Sequence, residues 1–388
     1  MIRAPFASDP DRSRGRLHPE PPSRLRTAFA RDRDRVIHTT AFRRLRYKTQ
    51  VFVAPDGDHF RVRLTHSLEV AQIARTIARA LRLDEDLAEV LALGHDLGHP
   101  PFGHSGDEAL ARAMAPHGGF DHNSHAIRIV TRLESRTPAF EGLNLSWEVL
   151  EGLAKHNGPV AAPSWALAEA DAAFALALST HAALEAQVAS LSDDIAYTAH
   201  DLDDGLRAGI LDLEALTAEV PLVDALWREV RRAWPAERRR SRLVPILVRE
   251  LIGRMVDGLL AETGRRLSEL APESPDDIRA AGRPTAAFPA ALAAELAPLR
   301  RHLEDRFYRH PSVARLRAPA EQVVTGLFAR LLARPEDLPD RWREALPEDE
   351  TARARHVCDY VAGMTDRFAL REYQRLVGDC PVPRDAGF

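Results

Sequence analysis

The sequence has little of what several protein classes require. Two cysteines, Cys358 and Cys380, among 388 residues cannot form a disulfide framework, so a reducing, cytoplasmic location is expected. No apolar run approaches the roughly 20 residues of a membrane-spanning helix. The N-terminal residues, rich in proline and arginine, lack the apolar centre of a signal peptide. A formal charge of −4 gives no general affinity for nucleic acid or membranes.

Aromatic residues are also scarce, at 6% of the chain, whereas hydrophobic residues make up 45% and charged residues 28%. These proportions are ordinary for a globular protein with a large core. Alanine, leucine and arginine are abundant, and all three favour helices over strands. The composition therefore predicts a helical enzyme with one or two domains.

Helical periodicity is clear in several stretches. THSLEVAQIARTIARALRL, with Thr65 as a candidate N-cap, brings apolar residues to one face: Leu68, Val70, Ile73, Ile77 and Leu81. DEDLAEVLALGHDLGHPP repeats the pattern until Pro100 and Pro101 end it. A long helix is predicted over 183–206, and two more apolar periodic stretches cover 241–267 and 354–376.

Strand patterns are almost absent. The best hairpin candidate is VFVAPDGDHFRVRL, residues 51–64, and the longest predicted loop is the Pro- and Ala-rich segment 268–292. We expect an all-α fold with an N-terminal arm over 1–38, a helical core over 39–265 and a C-terminal helical region over 266–388 packed on that core.

Titratable residues crowd around the stretch LALGHDLGHPPFGHSGDEAL. His95 and Asp96 are adjacent at a predicted helix end, and His66 begins the preceding helix, so the two helices can bring them together as an αα-hairpin. SLSDDIAY supplies Asp193 or Asp194 from a third helix. Two histidines and two aspartates form a harder donor set than a thiolate zinc site and suit Mn²⁺, Fe²⁺ or Mg²⁺.

A single histidine on an amphipathic helix is more often a core or surface residue than a ligand, and paired aspartates usually form a solvated face. The ordered pattern of His, then His-Asp, then Asp over three apolar helices is much harder to obtain by chance. It favours a metal site.

That pattern resembles the signature of the HD-domain phosphohydrolases, which are all-α, metal-dependent enzymes. Six stretches in order narrow the resemblance to the deoxyguanosinetriphosphate triphosphohydrolase family: RDRDRVIHTTAFRRLRYKTQVF, RLTHSLEVAQIAR, LGHDLGHPPFGHSGDEAL, FDHNSHAIRIVTRLE, DDIAYTAHDLDDG and DYVAGMTDRFA. They are spread over nearly the whole length of the chain. The HD pair alone is weakly specific, whereas the set of six is strong.

The resemblance implies residue roles. It gives His66, His95, Asp96 and Asp193 as ligands of one divalent ion (Mn, Mg, Fe or Co). Asp193 is preferred to Asp194 because the family's ligand precedes a tyrosine by four residues. Tyr197 and Asp201 would contact the deoxyribose, Gln50 would lie near the nucleoside, and Arg63, His99 and His122 would contact phosphates.

Catalysis is assigned by the same resemblance to His104, oriented by Asp107. Many family members carry glutamate at the latter position, which leaves Glu108 as an alternative orienting carboxylate. His125 stands where the family commonly has glutamine. In LEGLAKHNGP, Lys155 is expected to face the phosphates.

The expected reaction is hydrolysis of a deoxynucleoside triphosphate (dNTP) to deoxynucleoside and inorganic triphosphate. Another HD phosphohydrolase, such as a nucleotidase or a hydrolase of cyclic nucleotides or alarmones, is the alternative enzyme, and a module that senses dNTPs or single-stranded DNA is the alternative outside catalysis. The resemblance implies a homo-oligomer without a membrane partner. It leaves open the preferred dNTP and whether dNTPs or single-stranded DNA act as effectors.

Overall fold

The computed structural model describes residues 2–50 and 60–383. Helices dominate these residues, and their β-structure is confined to isolated bridges. The first nine α-helices are α1 (Ala28–Ile37), α2 (Thr40–Arg44), α3 (Arg63–Ala80), α4 (Glu85–Gly94), α5 (Gly103–Met114), α6 (His122–Arg128), α7 (Trp147–Ala154), α8 (Trp165–Phe174) and α9 (Leu184–Arg207). The all-α prediction is confirmed.

Ten further α-helices follow along the chain. They are α10 (Leu213–Glu219), α11 (Pro221–Ala233), α12 (Arg240–Leu270), α13 (Pro275–Arg279), α14 (Ala290–Leu303), α15 (Pro311–Ala314), α16 (Arg317–Ala333), α17 (Asp340–Glu344), α18 (Glu350–Ala362) and α19 (Asp366–Leu376). Two π-helical turns, Ile129–Leu133 and Glu304–Tyr308, extend α6 and α14. Five short 3₁₀ helices complete the described elements: Pro10–Arg12, Leu45–Tyr47, His95–Gly98, Ala115–His117 and Pro335–Asp337.

Helices α3, α4 and α9 pack against one another and form the frame of the site. The N-cap of α4 is Asp84, whose carboxylate accepts the Leu87 N–H at 3.0 Å, as expected for an acidic residue ahead of an apolar helix. Helix α3 begins two residues before Thr65, and the Thr65 hydroxyl accepts the Val62 N–H at 3.1 Å. The predicted inward face of α3 is wrong at Leu68, which is 51% exposed.

Buried apolar side chains form two clusters. The larger one runs from Ala4 to Phe307 and includes the faces of α3, α4 and α9. The second joins α5 to the C-terminal helices α16, α18 and α19. The expected division at 265 falls inside α12. The domain boundaries stay a prediction.

Two local predictions concern segments between the helices. The loop expected over 268–292 contains the last turn of α12, all of α13 and the start of α14. The hairpin expected over 51–64 lies mostly outside the described residues. Val62, within that range, forms an isolated antiparallel bridge with Thr49. None of the described helices is long and apolar enough to cross a bilayer.

Candidate active site

Three helices bring the predicted metal ligands together. His66 lies in the first turn of α3, and His95 and Asp96 open the 3₁₀ turn that follows α4. These three residues are buried, and each offers one ligand atom within 4.8 Å of the other two. Asp193, near the middle of α9, places Oδ1 2.8 Å from His66 Nε2 and 3.6 Å from His95 Nε2. Asp193 therefore lies next to both histidines of this three-residue group.

Three buried atoms of this cluster have no hydrogen-bond partner among the described residues: His66 Nδ1, His95 Nε2 and Asp96 Oδ2. His95 Nδ1 lies 2.6 Å from the Ala92 carbonyl oxygen, a contact that leaves Nε2 as a lone-pair donor when the imidazole is neutral. Unpaired buried polar atoms are costly unless a ligand satisfies them. With two imidazoles and two carboxylates, the cluster fits a divalent metal ion.

The charges of the cluster are strongly coupled. Burial opposes ionisation of Asp96, but the Arg63 guanidinium and His95 hold the pKa of Asp96 well below its usual range. Burial likewise opposes a charge on His95, yet Asp96 and Asp193 raise the pKa of His95 to about 9. A divalent cation would replace that proton at neutral pH.

Arg63 is placed differently from the expectation for a phosphate ligand. Its side chain is buried, and Nη1 donates to Asp96 Oδ1 at 2.9 Å. The contact of Arg63 with phosphate stays a prediction. In the structure, Arg63 is the cation that holds Asp96 in place.

The other predicted histidines form a group beside the cluster. His99 and His104 lie at the two ends of the segment that we call the site loop, residues 99–104, and His122 is the first residue of α6. His99 Nδ1 lies 3.0 Å from Asp96 Oδ1, and its ring stacks on His122 with centroids 3.9 Å apart. The His104 ring is 6.0 Å from that of His99. Partial removal from bulk water and the charges of Arg63 and His122 lower the pKa of His104.

Asp107 contacts a different histidine from the one expected. Its Oδ2 lies 3.3 Å from His122 Nδ1, and among the described residues no hydrogen bond joins Asp107 to His104. Glu108 is exposed and lies outside this group. Asp107 is therefore the carboxylate that faces the histidines, through His122.

Close packing brings α6 against the 3₁₀ turn after α4. A Cβ atom at Gly98 would lie only 1.9 Å from the His122 carbonyl oxygen and 2.4 Å from the Ala126 nitrogen. Glycine at this position therefore allows His122, the first residue of α6, to reach His99 and Asp107.

A cleft of about 740 Å³ opens beside the histidines. Its described lining includes Gln50, His104 and Tyr197, together with Tyr308 from the second π-helical turn. The rings of Tyr197 and Tyr308 stack with centroids 5.9 Å apart, and the Tyr308 hydroxyl donates to Asp201. Burial raises the pKa of Asp201 to about 8. The cleft has the size of an ordinary small-molecule site.

Three side chains that contact the site were not predicted from the sequence. His156 Nε2 lies 3.6 Å from Asp193 Oδ2, and the His200 ring meets the His66 ring edge-on at 5.7 Å. Tyr308 is the third. His156 directly follows Lys155, whose ammonium donates to Glu151 and Thr180, both at 2.9 Å. The prediction that Lys155 faces the phosphates is therefore wrong.

His125, where the family commonly has glutamine, is buried away from the cleft, with Nδ1 3.6 Å from an Asp359 oxygen. In this chain, His125 is part of the buried packing around Asp359.

Comparison with known proteins agrees with this geometry. The HD domain model matches residues 63–198, which contain all four residues of the cluster, and the phosphohydrolase-associated domain model matches residues 286–375. Fold, cluster and matches together define the chain as an HD-domain phosphohydrolase.

The relatives narrow the class. A deoxyguanosinetriphosphate triphosphohydrolase-like protein of Bradyrhizobium sp. (strain ORS 278) is 54% identical over 382 residues, 98% of this chain and 97% of the relative. One of Caulobacter sp. (strain K31) is 53% identical over 381 residues, 96% of each chain. The chain therefore belongs to the deoxyguanosinetriphosphate triphosphohydrolase-like family, as its motifs predicted. A solved structure of a hypothetical protein from Aquifex aeolicus, 21% identical over 80% of this chain and 79% of that one, has a TM-score of 0.31, too low for a structural argument.

Proposed function

We propose that the protein hydrolyses deoxynucleoside triphosphates, dGTP or several dNTPs, to deoxynucleoside and inorganic triphosphate. The observation that carries this proposal is that the metal-ligand group and the cleft lie at opposite ends of one row of histidines. A group of His66, His95 and Asp96, with Asp193 next to its two histidines, lies beside a row of histidines, and this row ends in a cleft lined by stacked tyrosines. The names of the relatives point to the same substrate class.

In this proposal His66, His95, Asp96 and Asp193 hold one divalent ion, Mn²⁺, Mg²⁺, Fe²⁺ or Co²⁺. When bound, such an ion neutralises phosphate charge and makes a water molecule more acidic. Arg63 keeps Asp96 ionised, and the Ala92 carbonyl orients the His95 ring. Both contacts preorganise the cluster before substrate arrives.

The histidine row lies where the triphosphate would pass. His99 and His122 stack on each other and would contact phosphate oxygens, while Asp107 orients His122. Water attacks the α-phosphorus, the bond from phosphorus to the 5′ oxygen breaks, and the water oxygen stays on the triphosphate. We assign His104, exposed in the cleft, as the group that delivers a proton to the leaving 5′ oxygen, and the proton released by the attacking water restores its protonated form.

The nucleoside would occupy the cleft. Tyr197, stacked on Tyr308, presents a ring face on which the sugar can rest, and a 2′-hydroxyl would clash there. Asp201, held by the Tyr308 hydroxyl, lies one helical turn beyond Tyr197 and would contact the sugar. Gln50, which also lines the cleft, would face the nucleoside. The homo-oligomer and the effector role of dNTPs or single-stranded DNA stay predictions.

The test is a product assay on each dNTP in turn with Mn²⁺, Mg²⁺ and Co²⁺. We expect deoxynucleoside and intact triphosphate, and no turnover in an Asp193→Ala variant that has also lost metal. Orthophosphate or pyrophosphate as the product would support another HD phosphohydrolase activity instead. Activity retained by Asp193→Ala would overturn the ligand assignment.

A further inference from the structure

The stretch DYVAGMTDRFA has no part in the chemistry described so far, yet it touches the site loop. It forms the end of α18, a short connection and the start of α19. Asp366, the first residue of α19, is buried, and its Oδ1 accepts the Phe102 N–H at 2.9 Å. Its Oδ2 accepts the Thr49 N–H at 2.9 Å and the Thr49 hydroxyl. One carboxylate thus joins two distant segments.

A second contact holds the other end of the site loop. The Lys48 ammonium is buried and donates to the His99 carbonyl oxygen and, at 2.9 Å, to the Ala362 carbonyl oxygen at the end of α18. The end of α18 and the start of α19 therefore hold two segments in place. These are residues 48 and 49, and the site loop at His99 and Phe102.

The site loop has a conformation that needs support. Phe102 has a φ of +64°, in the left-handed region that non-glycine residues rarely adopt, and Gly103 follows with a φ of +56°. Both residues lead directly into His104, the second residue of α5. Loss of the hydrogen bond to the Phe102 N–H would let this turn relax, and His104 would move with it.

We propose that Asp366 is a positioning residue for the reaction. It does not face the substrate. It fixes the site loop, which carries His99 and His104, relative to the segment that carries Gln50, so the C-terminal helices set the spacing between the phosphate side and the nucleoside side of the site. The kinetic part of this inference rests on the proposed function.

The test compares two buried carboxylates that each accept two backbone N–H groups and one hydroxyl. Glu185, also buried, accepts the N–H groups of Ser8 at 2.8 Å and Asp84 at 3.3 Å and the Ser8 hydroxyl at 3.1 Å, but it holds the N-terminal segment and the start of α4 rather than the site loop. Asp366→Asn and Glu185→Gln each replace one acceptor oxygen by a donor. We expect both full-length variants to lose thermal stability to a similar degree.

Only Asp366→Asn should affect the reaction, with a fall in kcat of roughly tenfold to a hundredfold for dNTP hydrolysis. Asp366→Ala, which keeps no acceptor, should lose more. Binding of Mn²⁺ should be unchanged in all three variants, because the cluster lies on α3, α9 and the turn after α4. Equal kcat values for Asp366→Asn and Glu185→Gln would overturn the positioning role.

Hydrogen–deuterium exchange provides a readout that does not depend on the substrate. Peptides covering 47–50 and 99–106 should exchange faster in Asp366→Asn than in the wild type, and these peptides should be unaffected in Glu185→Gln. If the wild type hydrolyses no dNTP, the proposed function fails and the exchange result still decides the role of Asp366. Unchanged exchange in both peptides would refute the inference.

Discussion

Gly98 offers a direct test of how closely the histidine row depends on helix packing. In Gly98→Ala the new Cβ would lie 1.9 Å from the His122 carbonyl oxygen, whereas real Cβ contacts essentially never fall below 3.0 Å. The first turn of α6 would therefore have to retreat by at least about 1.1 Å, the difference between these two distances.

This retreat has a defined effect on the site. The 3.3 Å contact between His122 and Asp107 would be lost, and the 3.9 Å stacking of His122 on His99 would loosen. A misplacement of about 1 Å can cost about a hundredfold in rate, or about 2.7 kcal/mol of transition-state stabilisation. Strain from overpacking should cost about 1–3 kcal/mol of folding stability.

The assay measures kcat for dNTP hydrolysis, thermal stability and Mn²⁺ content of the purified variant. We expect kcat to fall about a hundredfold while metal content stays near that of the wild type. Gly253→Ala in α12 is the matched control, because nothing lies within 4 Å of its added Cβ. That substitution should stabilise the protein by about 0.4–1 kcal/mol and leave kcat unchanged. Wild-type kcat in Gly98→Ala would refute the packing argument.

Three further predictions concern other parts of the molecule. Tyr308→Phe removes the hydroxyl that donates to the buried Asp201, so KM for dNTPs should rise about tenfold; steady-state kinetics check this, and an unchanged KM would exclude Tyr308 from the substrate site. Burial lowers the pKa of His125 to about 3 from about 6.5 in the unfolded chain, so the unfolded state binds the extra proton below pH 6.5. The contribution of His125 to folding stability should then be full above pH 6.5 and fall as the pH drops. The wild type should lose up to about 1.4 kcal/mol per pH unit more than His125→Gln does. Denaturant unfolding at pH 7.5 and 5.5 measures this difference, and equal losses in the two proteins would refute the reasoning. Chelation should lower the melting temperature, and Mn²⁺ at about 100 times its Kd should restore about 2.7 kcal/mol of stability, measured by differential scanning calorimetry. A His66→Ala variant should not respond to the metal, and an equal response would place the ion elsewhere.

Local patterns in the sequence were sufficient for the helical frame. The apolar periodicity of α3, α4 and α9 specifies their buried faces apart from Leu68 of α3, and the proline pair marks where the pattern of α4 must stop. Because His95 and Asp96 directly follow α4, the pairing of α3 with α4 was enough to predict that they lie close to His66.

The long-range contacts of the site were not predictable in this way. Tyr308 meets Asp201 from a position 107 residues later, and Asp366 meets Thr49 across 317 residues. No periodicity relates such positions. Lys155 and His156 show a shorter-range failure: α7 ends at Ala154, and beyond its end the helical repeat no longer indicates which of two adjacent side chains faces the site.

The second apolar cluster has a consequence for biosynthesis. Met114 at the end of α5 and Leu316, the first C-terminal member of this cluster, are separated by 202 positions. A chain emerging from the ribosome therefore carries α5 without its apolar partners until most of the protein has been translated. The ligand helices can pack early, but the site loop in front of α5 can settle only at the end of translation. A nascent chain that stops before α16 should thus have a formed metal cluster and an immature catalytic loop.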